Sequence, residues 1–323
     1  MAAPTMTGTG RAHGKVILLG EHSVVYGLPA IAVPVPALRA HAFAQRSDIV
    51  TQARPLAGET HTEMRFRVGN GGSAPLSGPR VAVEHALRDW SLTGEPVEIA
   101  IGCDIPAGRG LGASAACAAA AVRAVADLYG REVDAQTVYH LVQFGEQCVY
   151  GRVSGVDART ALCDVPIWFE RGVWRPLAIG ARDLTVVIAD SGVAAATKDA
   201  VTTVSASLGA DPDRAGRLLA TAAAFIGSAA DAVAAGDAQA LGRSMVEFHE
   251  FLTQLGVGTA GIDALVAAAL GAGSLGAKVT GGGLGGCVLA LTQGRASADR
   301  VGAALLAAGA VQVWTVPIAQ APS

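Results

Sequence analysis

Short apolar runs closed by glycine or proline alternate along this chain with long alanine-rich stretches, and the two patterns predict different elements. KVILLG (15–20) is a compact apolar run ending in glycine and predicts a strand. PAIAVPV (29–35) and LRAHAFAQ (38–45) predict two more. Residues 51–80 are polar and rich in Gly and Pro, which predicts loops around a weak strand near 65–68. Residues 81–90 have helical character, and 96–105 alternates as a half-buried strand does. A glycine-rich turn (106–114) then leads into an alanine-rich helix over 114–129, and Asp134 is placed to cap a second helix reaching about Tyr150. VPIWFE and GVWRPLA predict a hairpin turning at Arg171-Gly172. DLTVVIAD (183–190) is the next strong strand. Helical stretches follow at about 197–209, 213–235 and 237–255, then the glycine-rich AKVTGGGLGGCVLAL (277–291), a helix over about 296–308 and a strand over 311–318. This order predicts an α+β sandwich with helices on one face, in two domains, 1–181 and 182–323.

Composition narrows the function classes. A chain of 323 residues suits two cores. The formal charge of −3 is dispersed, so no basic block suggests nucleic acid and no acidic tail suggests a basic partner. Five cysteines without a CxxC pair predict reduced, mostly buried thiols and argue against a disulfide framework or a zinc ribbon. The start, MAAPTMTGTGRAHGK, has no apolar core of a secretory signal. The uncharged stretch 301–319 breaks at Gly309 and contains Gln312, Thr315 and Pro317, so it predicts a helix and a strand rather than a membrane span. The expectation is a cytoplasmic protein without nucleic-acid or membrane partners. Lysine is scarce: Lys15, Lys198 and Lys278 stand against twenty-one arginines, a ratio that a GC-rich genome would also produce.

Three glycine-rich segments compete as phosphate loops. GAGSLGAKVT (271–280) misses the GxxxxGK[ST] spacing by one residue and leads to a strand. Gly281-x-Gly283-x-x-Gly286 matches a dinucleotide fingerprint but precedes CVLALT, which reads as a strand where a helix is required. PAGRGLGAS (106–114) has the better physics: a strand enters, glycines let backbone N–H groups converge, and a helix begins at Ser114 with its positive dipole end toward the loop. By itself it also fits an ordinary turn with Ser114 as a helix cap.

Read together, KVILLGEHSVVYGLPAIAVPV (15–35), PAGRGLGASAA (106–116) and KVTGGGLGGCVLAL (278–291) resemble, in order and spacing, the three signature motifs of the GHMP small-molecule kinases. The first segment, with Gly20-Glu21-His22-Ser23-Val24-Val25-Tyr26-Gly27, is most similar to the mevalonate kinase branch, as is Ser154-Gly155-Val156-Asp157 with Glu146 eleven residues earlier. The resemblance covers most of the chain. It implies an N-terminal domain like the second domain of ribosomal protein S5, a ferredoxin-like C-terminal α/β sandwich, and transfer of the γ-phosphoryl of ATP to the 5-hydroxyl of mevalonate. Mevalonate and MgATP are the implied partners, and a homodimer is left open.

The resemblance assigns roles residue by residue. Asp157 receives the hydroxyl proton, although a carboxylate after Ser-Gly is also a common turn residue. Lys15 would lower the hydroxyl pKa and keep Asp157 ionised, where the duller reading is a solvated strand-end lysine. Ser114 and Glu146 hold Mg²⁺ through oxygen; their alternatives are a cap and a surface glutamate. Pro106, Gly108, Arg109, Gly110, Leu111, Gly112, Ala113 and Ser114 form the ATP loop, with Arg109 either touching ATP or facing solvent. Glu21, His22, Thr197, Gly282 and Gly283 line the acceptor site with Lys15 and Asp157. The chain departs from the family pattern at Ala194-Ala195, where Pro-Arg is usual, at Ala113, where Ser is common, and at Ala158, where Asn often follows the aspartate. Lys198, Arg159 or Arg171 are then the candidates to meet a substrate carboxylate. The rivals are another acceptor within the same superfamily, a non-catalytic relative used for sensing, and a nicotinamide-dependent oxidoreductase resting on the Gly281 fingerprint.

Overall fold

Strand β1 (Thr7–Leu19) opens with glycine at alternate positions, and these positions face a helix rather than solvent. A Cβ on Gly8 would run into the backbone of Ala124 and Leu128, and one on Gly10 into the backbone of Ala120 and Ala124. The strand therefore lies directly on helix α2 (Ala113–Leu128), whose alanines are buried on almost every side and keep the two backbones close. In the computed structural model, residues 7–46, 62–69, 76–94, 96–180, 183–195 and 197–318 are described. They form two compact units that interleave along the chain: Met1–Gly14, Val35–Ala107 and Gly112–Leu162 in one, Lys15–Pro34, Gly108–Leu111 and Cys163–Ser323 in the other. The expected boundary at 181/182 lies outside the described residues.

In the first unit, β4 (Val97–Cys103) runs antiparallel between β3 (Thr62–Val68) and the later half of β2 (Ala30–Arg46), with Phe43 opposite Ala100 and Phe66 opposite Ile99. The helices α1 (Gly78–Asp89), α2 and α3 (Ala135–Tyr150) pack on one another, and a short α4 (Val156–Thr160) packs on α2 and α3. Asp134 caps α3 as expected, accepting from the Thr137 N–H at 2.7 Å. The two strands expected at 29–35 and 38–45 are one strand. Pro34 and Pro36 fall between the stretch paired with β4 and the stretch Ala30–Ala32 paired elsewhere, so neither proline removes a donor from those ladders.

In the second unit, the predicted hairpin forms from β5 (Ile167–Glu170) and β6 (Val173–Pro176), with β5 pairing to Ala30–Ala32. A four-stranded antiparallel sheet follows in the order β10-β7-β9-β8, built from β7 (Leu184–Asp190), β8 (Gly276–Thr280), β9 (Cys287–Gln293) and β10 (Gln312–Pro317). β7 is buried along its whole length, which explains its unbroken apolar run. Helices α7 (Ala238–Gln254), α8 (Ala260–Gly271) and α9 (Arg295–Ala307) pack on this sheet, while α6 (Pro212–Ala235) packs on α5 (Thr197–Gly209) and α7. The described part of the stretch 301–319 holds the end of α9 followed by β10. Length and composition alone would let α6 cross a bilayer; here it lies between two helices. Helix α8 has no counterpart among the expected elements, although Thr259 caps it by accepting from the Ile262 N–H at 3.3 Å.

The β1–α2 contact yields a direct prediction. Gly10→Ala places a methyl where the Ala120 carbonyl sits, so thermal melts should show a loss of about 1–3 kcal/mol, the usual cost of overpacking. An unchanged melting temperature would mean that the strand is not seated on the helix backbone.

Candidate active site

The second unit collects Lys15, the Gly20–Tyr26 turn, the loop Gly108–Leu111 and the loop after β8. Lys15 is 1% exposed, so it is not a solvated strand-end lysine. Its Nζ donates to the Gly110 carbonyl at 3.0 Å and its backbone N–H to the Leu111 carbonyl at 2.9 Å, gripping the loop from both atoms. On the loop's other side, a Cβ on Gly110 would come within 2.8 Å of the Gly281 Cα, and one on Gly281 within 2.5 Å of the Gly110 Cα. Both residues have left-handed φ, 77° and 79°, so only glycine meets the steric and the conformational demand together. The loop after β8 runs into strand β9, not a helix, which removes the structural context of the dinucleotide fingerprint.

The first motif turns sharply at His22, whose φ of 59° is rare outside glycine. His22 Nε2 lies 2.8 Å from the Gly282 carbonyl. A carbonyl can only accept, so Nε2 carries the proton. Burial lowers the His22 pKa and outweighs the opposing effect of that carbonyl, which keeps the imidazole neutral. Thr280 Oγ1 ties β8 to β1 twice, accepting from the Ile17 N–H at 3.2 Å and donating to the Ile17 carbonyl at 3.1 Å. Glu21, expected along the acceptor site, turns its carboxylate to Lys278, and both are buried. Lys278 also donates to the Val279 carbonyl at 2.6 Å. Burial raises the Glu21 pKa and lowers that of Lys278, while the charge of each partner opposes the shift of the other. Sequence reasoning gave Lys278 no role; its signals were the scarcity of lysine and its place at the head of the third glycine motif.

Arg109 does not face solvent. Its Nε sits 2.8 Å from Asp190 Oδ1, and its Nη2 donates to the Gly192 carbonyl at 2.9 Å. Arg171 is exposed, with Nε donating to the Gly27 carbonyl at 3.1 Å. Lys198 is exposed on the first turn of α5; the side chain of Thr197 lies outside the described residues.

In the first unit the loop ends at Gly112, which caps α2 in a left-handed conformation, so the helix begins at Ala113. Ser114 is therefore not the cap. Its hydroxyl donates to Glu146 Oε1 on α3 at 2.6 Å, and the Tyr150 hydroxyl lies 3.5 Å from it. Gly78, at the start of α1, faces this pair: a Cβ there would sit 2.6 Å from Glu146 Oε1 and 3.3 Å from Ser114 Oγ. That glycine carried no signal in the sequence. Asp157 is the second residue of α4, half-buried, with Gly155 in the cap position, so a simple turn role does not describe it. Helix α4 is fastened by Arg159, which is 2% exposed, donates to Gln136 Oε1 at 2.6 Å and stacks on the Tyr139 ring at 4.0 Å. Arg159 is thus committed to packing and not offered to a ligand. Among the described residues, no group of three His, Cys, Asp or Glu side chains could hold a metal ion.

One unit thus holds a helix N-terminus and a hydroxyl–carboxylate pair, the other a buried lysine on a glycine loop, each a kind of group that phosphoryl-transfer enzymes use. Consistent with that class, the model for the GHMP kinases N terminal domain matches residues 79–164, and that for the GHMP kinases C terminal region matches 229–311. The mevalonate kinase of Thermococcus gammatolerans is 33% identical over 319 residues, covering 94% of each chain. That of Pyrococcus horikoshii is also 33% identical, over 94% of this chain and 93% of its own. The crystal structure of L. major mevalonate kinase in complex with R-mevalonate superimposes with a TM-score of 0.78 at 25% identity, covering 99% of this chain and 100% of that one. The chain belongs to the mevalonate kinase family of the GHMP kinases.

The buried neutral His22 predicts an acid weakness. An imidazole whose folded pKa is lowered binds its proton more readily in the unfolded chain. Stability should fall as pH drops through the unfolded value of about 6.5. His41 and His249 are shifted in the same direction by burial, so they add to the slope. Thermal melts from about pH 7.5 to about 5.5 should show the loss, and His22→Asn, which tolerates the positive φ, should make it shallower. An identical slope in the variant would show that His22 is not held neutral.

Proposed function

We propose that this chain transfers the γ-phosphoryl group of ATP to the 5-hydroxyl of mevalonate, giving 5-phosphomevalonate and ADP, as the names of its curated relatives suggest. The observation that carries the reading is the grip of buried Lys15 on the glycine loop at Gly110, which fixes an ammonium where a phosphate-binding backbone turns. The loop Pro106–Gly112 and the first turn of α2 hold the phosphates through backbone N–H groups. Mevalonate's hydroxyl oxygen attacks the γ-phosphorus, the bond to the bridging oxygen of ADP breaks, and the hydroxyl proton passes to the Asp157 carboxylate. Lys15 stabilises the negative charge spread over the transferring group. Glu21, His22, Gly282, Gly283 and Thr197 shape the acceptor side, with the Glu21 carboxylate acting through Lys278. Arg171, exposed beside Gly27, is the favoured cation for the mevalonate carboxylate, because Arg159 is occupied.

Ser114 and Glu146 fit a magnesium ion: two hard oxygens already adjoin, and such a pair would hold the ion together with nucleotide phosphates and water. Bound magnesium would neutralise phosphate charge. The dispersed net charge suits a cytoplasmic enzyme without nucleic-acid or membrane partners.

The reading is tested by ADP release measured against mevalonate, phosphomevalonate, homoserine and galactose, with turnover expected on mevalonate alone. Activity confined to another acceptor would overturn it. Asp157→Asn should keep mevalonate and ATP binding but lower turnover roughly 10²–10⁴-fold in single-turnover assays, the range for loss of a positioned base. Turnover within about threefold of wild type would remove Asp157 from the proton path. Ser114→Ala and Glu146→Gln should each raise the magnesium concentration needed for half-maximal rate. Gly78→Ala should do the same without removing either oxygen, by displacing the Glu146 carboxylate. Wild-type magnesium dependence in all three would dismiss the assignment.

A further inference from the structure

Arg109 stands in the middle of the glycine loop, where a cation invites the assumption that it touches the nucleotide. Two of its three guanidinium nitrogens, Nε and Nη2, are otherwise engaged, while Nη1 is buried without a hydrogen-bond partner. Nε meets both carboxylate oxygens of Asp190, at 2.8 and 3.0 Å, and Nη2 donates to the Gly192 carbonyl at 2.9 Å. Asp190 is the last residue of β7, 6% exposed, and its Oδ1 also accepts the Gly192 N–H at 2.8 Å. The fork of the guanidinium thus fits around one Asx-type turn, a match that a lysine ammonium cannot reproduce.

The segment that Arg109 holds is itself tied to both glycine loops. The Ala195 N–H donates to the Gly108 carbonyl at 3.1 Å, the Gly286 N–H to the Val193 carbonyl at 2.8 Å, and the Ser191 N–H to the Gly286 carbonyl at 3.0 Å. Two residues beyond Ala195 the chain enters α5 at Thr197. The Arg109 side chain is the charged fastening among otherwise backbone-only bonds. A partly buried ion pair of this kind adds little net stability but fixes geometry.

We propose that Arg109 and Asp190 form a clasp in which Arg109 is a positioning residue: it sets the glycine loop by holding the 190–195 turn and does not bind phosphate itself. The inference rests on the loop being the phosphate loop. Loss of either partner lets the loop drift, so the nucleotide binds less well although no ligand contact has been removed. The two residues act as one element.

The test is nucleotide affinity, by fluorescence titration with a mant-labelled ATP, alongside the KM for ATP, kcat and unliganded melting temperature. Arg109→Met and Asp190→Asn should each weaken nucleotide binding about tenfold and raise KM for ATP more than they lower kcat. The double variant should lie within about twofold of the weaker single, because neither residue works without the other. Arg109→Lys should fall between wild type and Arg109→Met. If Arg109→Met does not fold, Arg109→Lys and the nearly isosteric Asp190→Asn carry the comparison. Direct phosphate binding by Arg109 predicts the opposite for Asp190→Asn, which would release the guanidinium and leave affinity unchanged or tighter; that result overturns the clasp. So does a lowered melting temperature with wild-type affinity in both singles. Gly110→Val separates the two levels: if it keeps wild-type nucleotide affinity, the phosphate-loop reading fails and the clasp with it, whereas if it loses affinity while the clasp variants keep theirs, only the clasp fails.

Discussion

Gly110 and Gly281 meet backbone against backbone, each in a left-handed conformation and each leaving no room for a Cβ on the other. Much of the second unit's chemistry follows from that approach. Because the two loops touch without side chains between them, Lys15 can reach the Gly110 carbonyl from β1 while Thr280 ties the foot of the third loop to Ile17 on the same strand. The His22 turn then lies within reach of the Gly282 carbonyl. A methyl group at the contact would part the loops and disturb every one of these bonds.

The same crowding bears on three of the charged side chains that the unit buries. Lys15, Lys278 and Glu21 are each at most 1% exposed, and each lysine influences the titration of Glu21. Burying charge costs free energy that an ion pair recovers only in part, so the Glu21–Lys278 pair is poorly explained as a stabilising feature. It is better explained by geometry: it fixes the residue before His22 to the residue two before Thr280. The Arg109–Asp190 pair applies the same logic to the glycine loop itself. In the other unit, Ser114 and Glu146 need no such cost, since a neutral hydroxyl donates to the carboxylate and only Gly78 must stay small.

Three segments far apart in the chain carry enough pattern to be read without coordinates: a strand into Gly-Glu-His, a glycine turn into an alanine helix, and a glycine run between strands. Their order and spacing identified the kinase family, and local periodicity located most helices and strands, because amphipathic period and capping residues are written in neighbouring positions. Asp134 was legible for the same reason, whereas Asp157, Ser114 and Glu146 stood out as candidates through the resemblance to the kinase motifs. The opening of β1 was not legible. Its Gly8 and Gly10 precede the strand expected at 15–20 and gain a role only when α2 is placed against them, and the division at Pro34 and Pro36 dissolves only once the strand's partners are known.

The sequence by itself determined which chemical groups this protein carries and the elements they ride on, since propensity, periodicity and glycine spacing are local properties. Only the tertiary structure decided what each group faces. It turned Glu21 to Lys278, committed Arg159 to Tyr139 and Gln136, gave Arg109 to Asp190, and set Gly78 against Glu146. Each of these contacts joins residues brought together by packing, and the steric and electrostatic terms that choose among partners act through space, at distances that no run of neighbouring residues encodes.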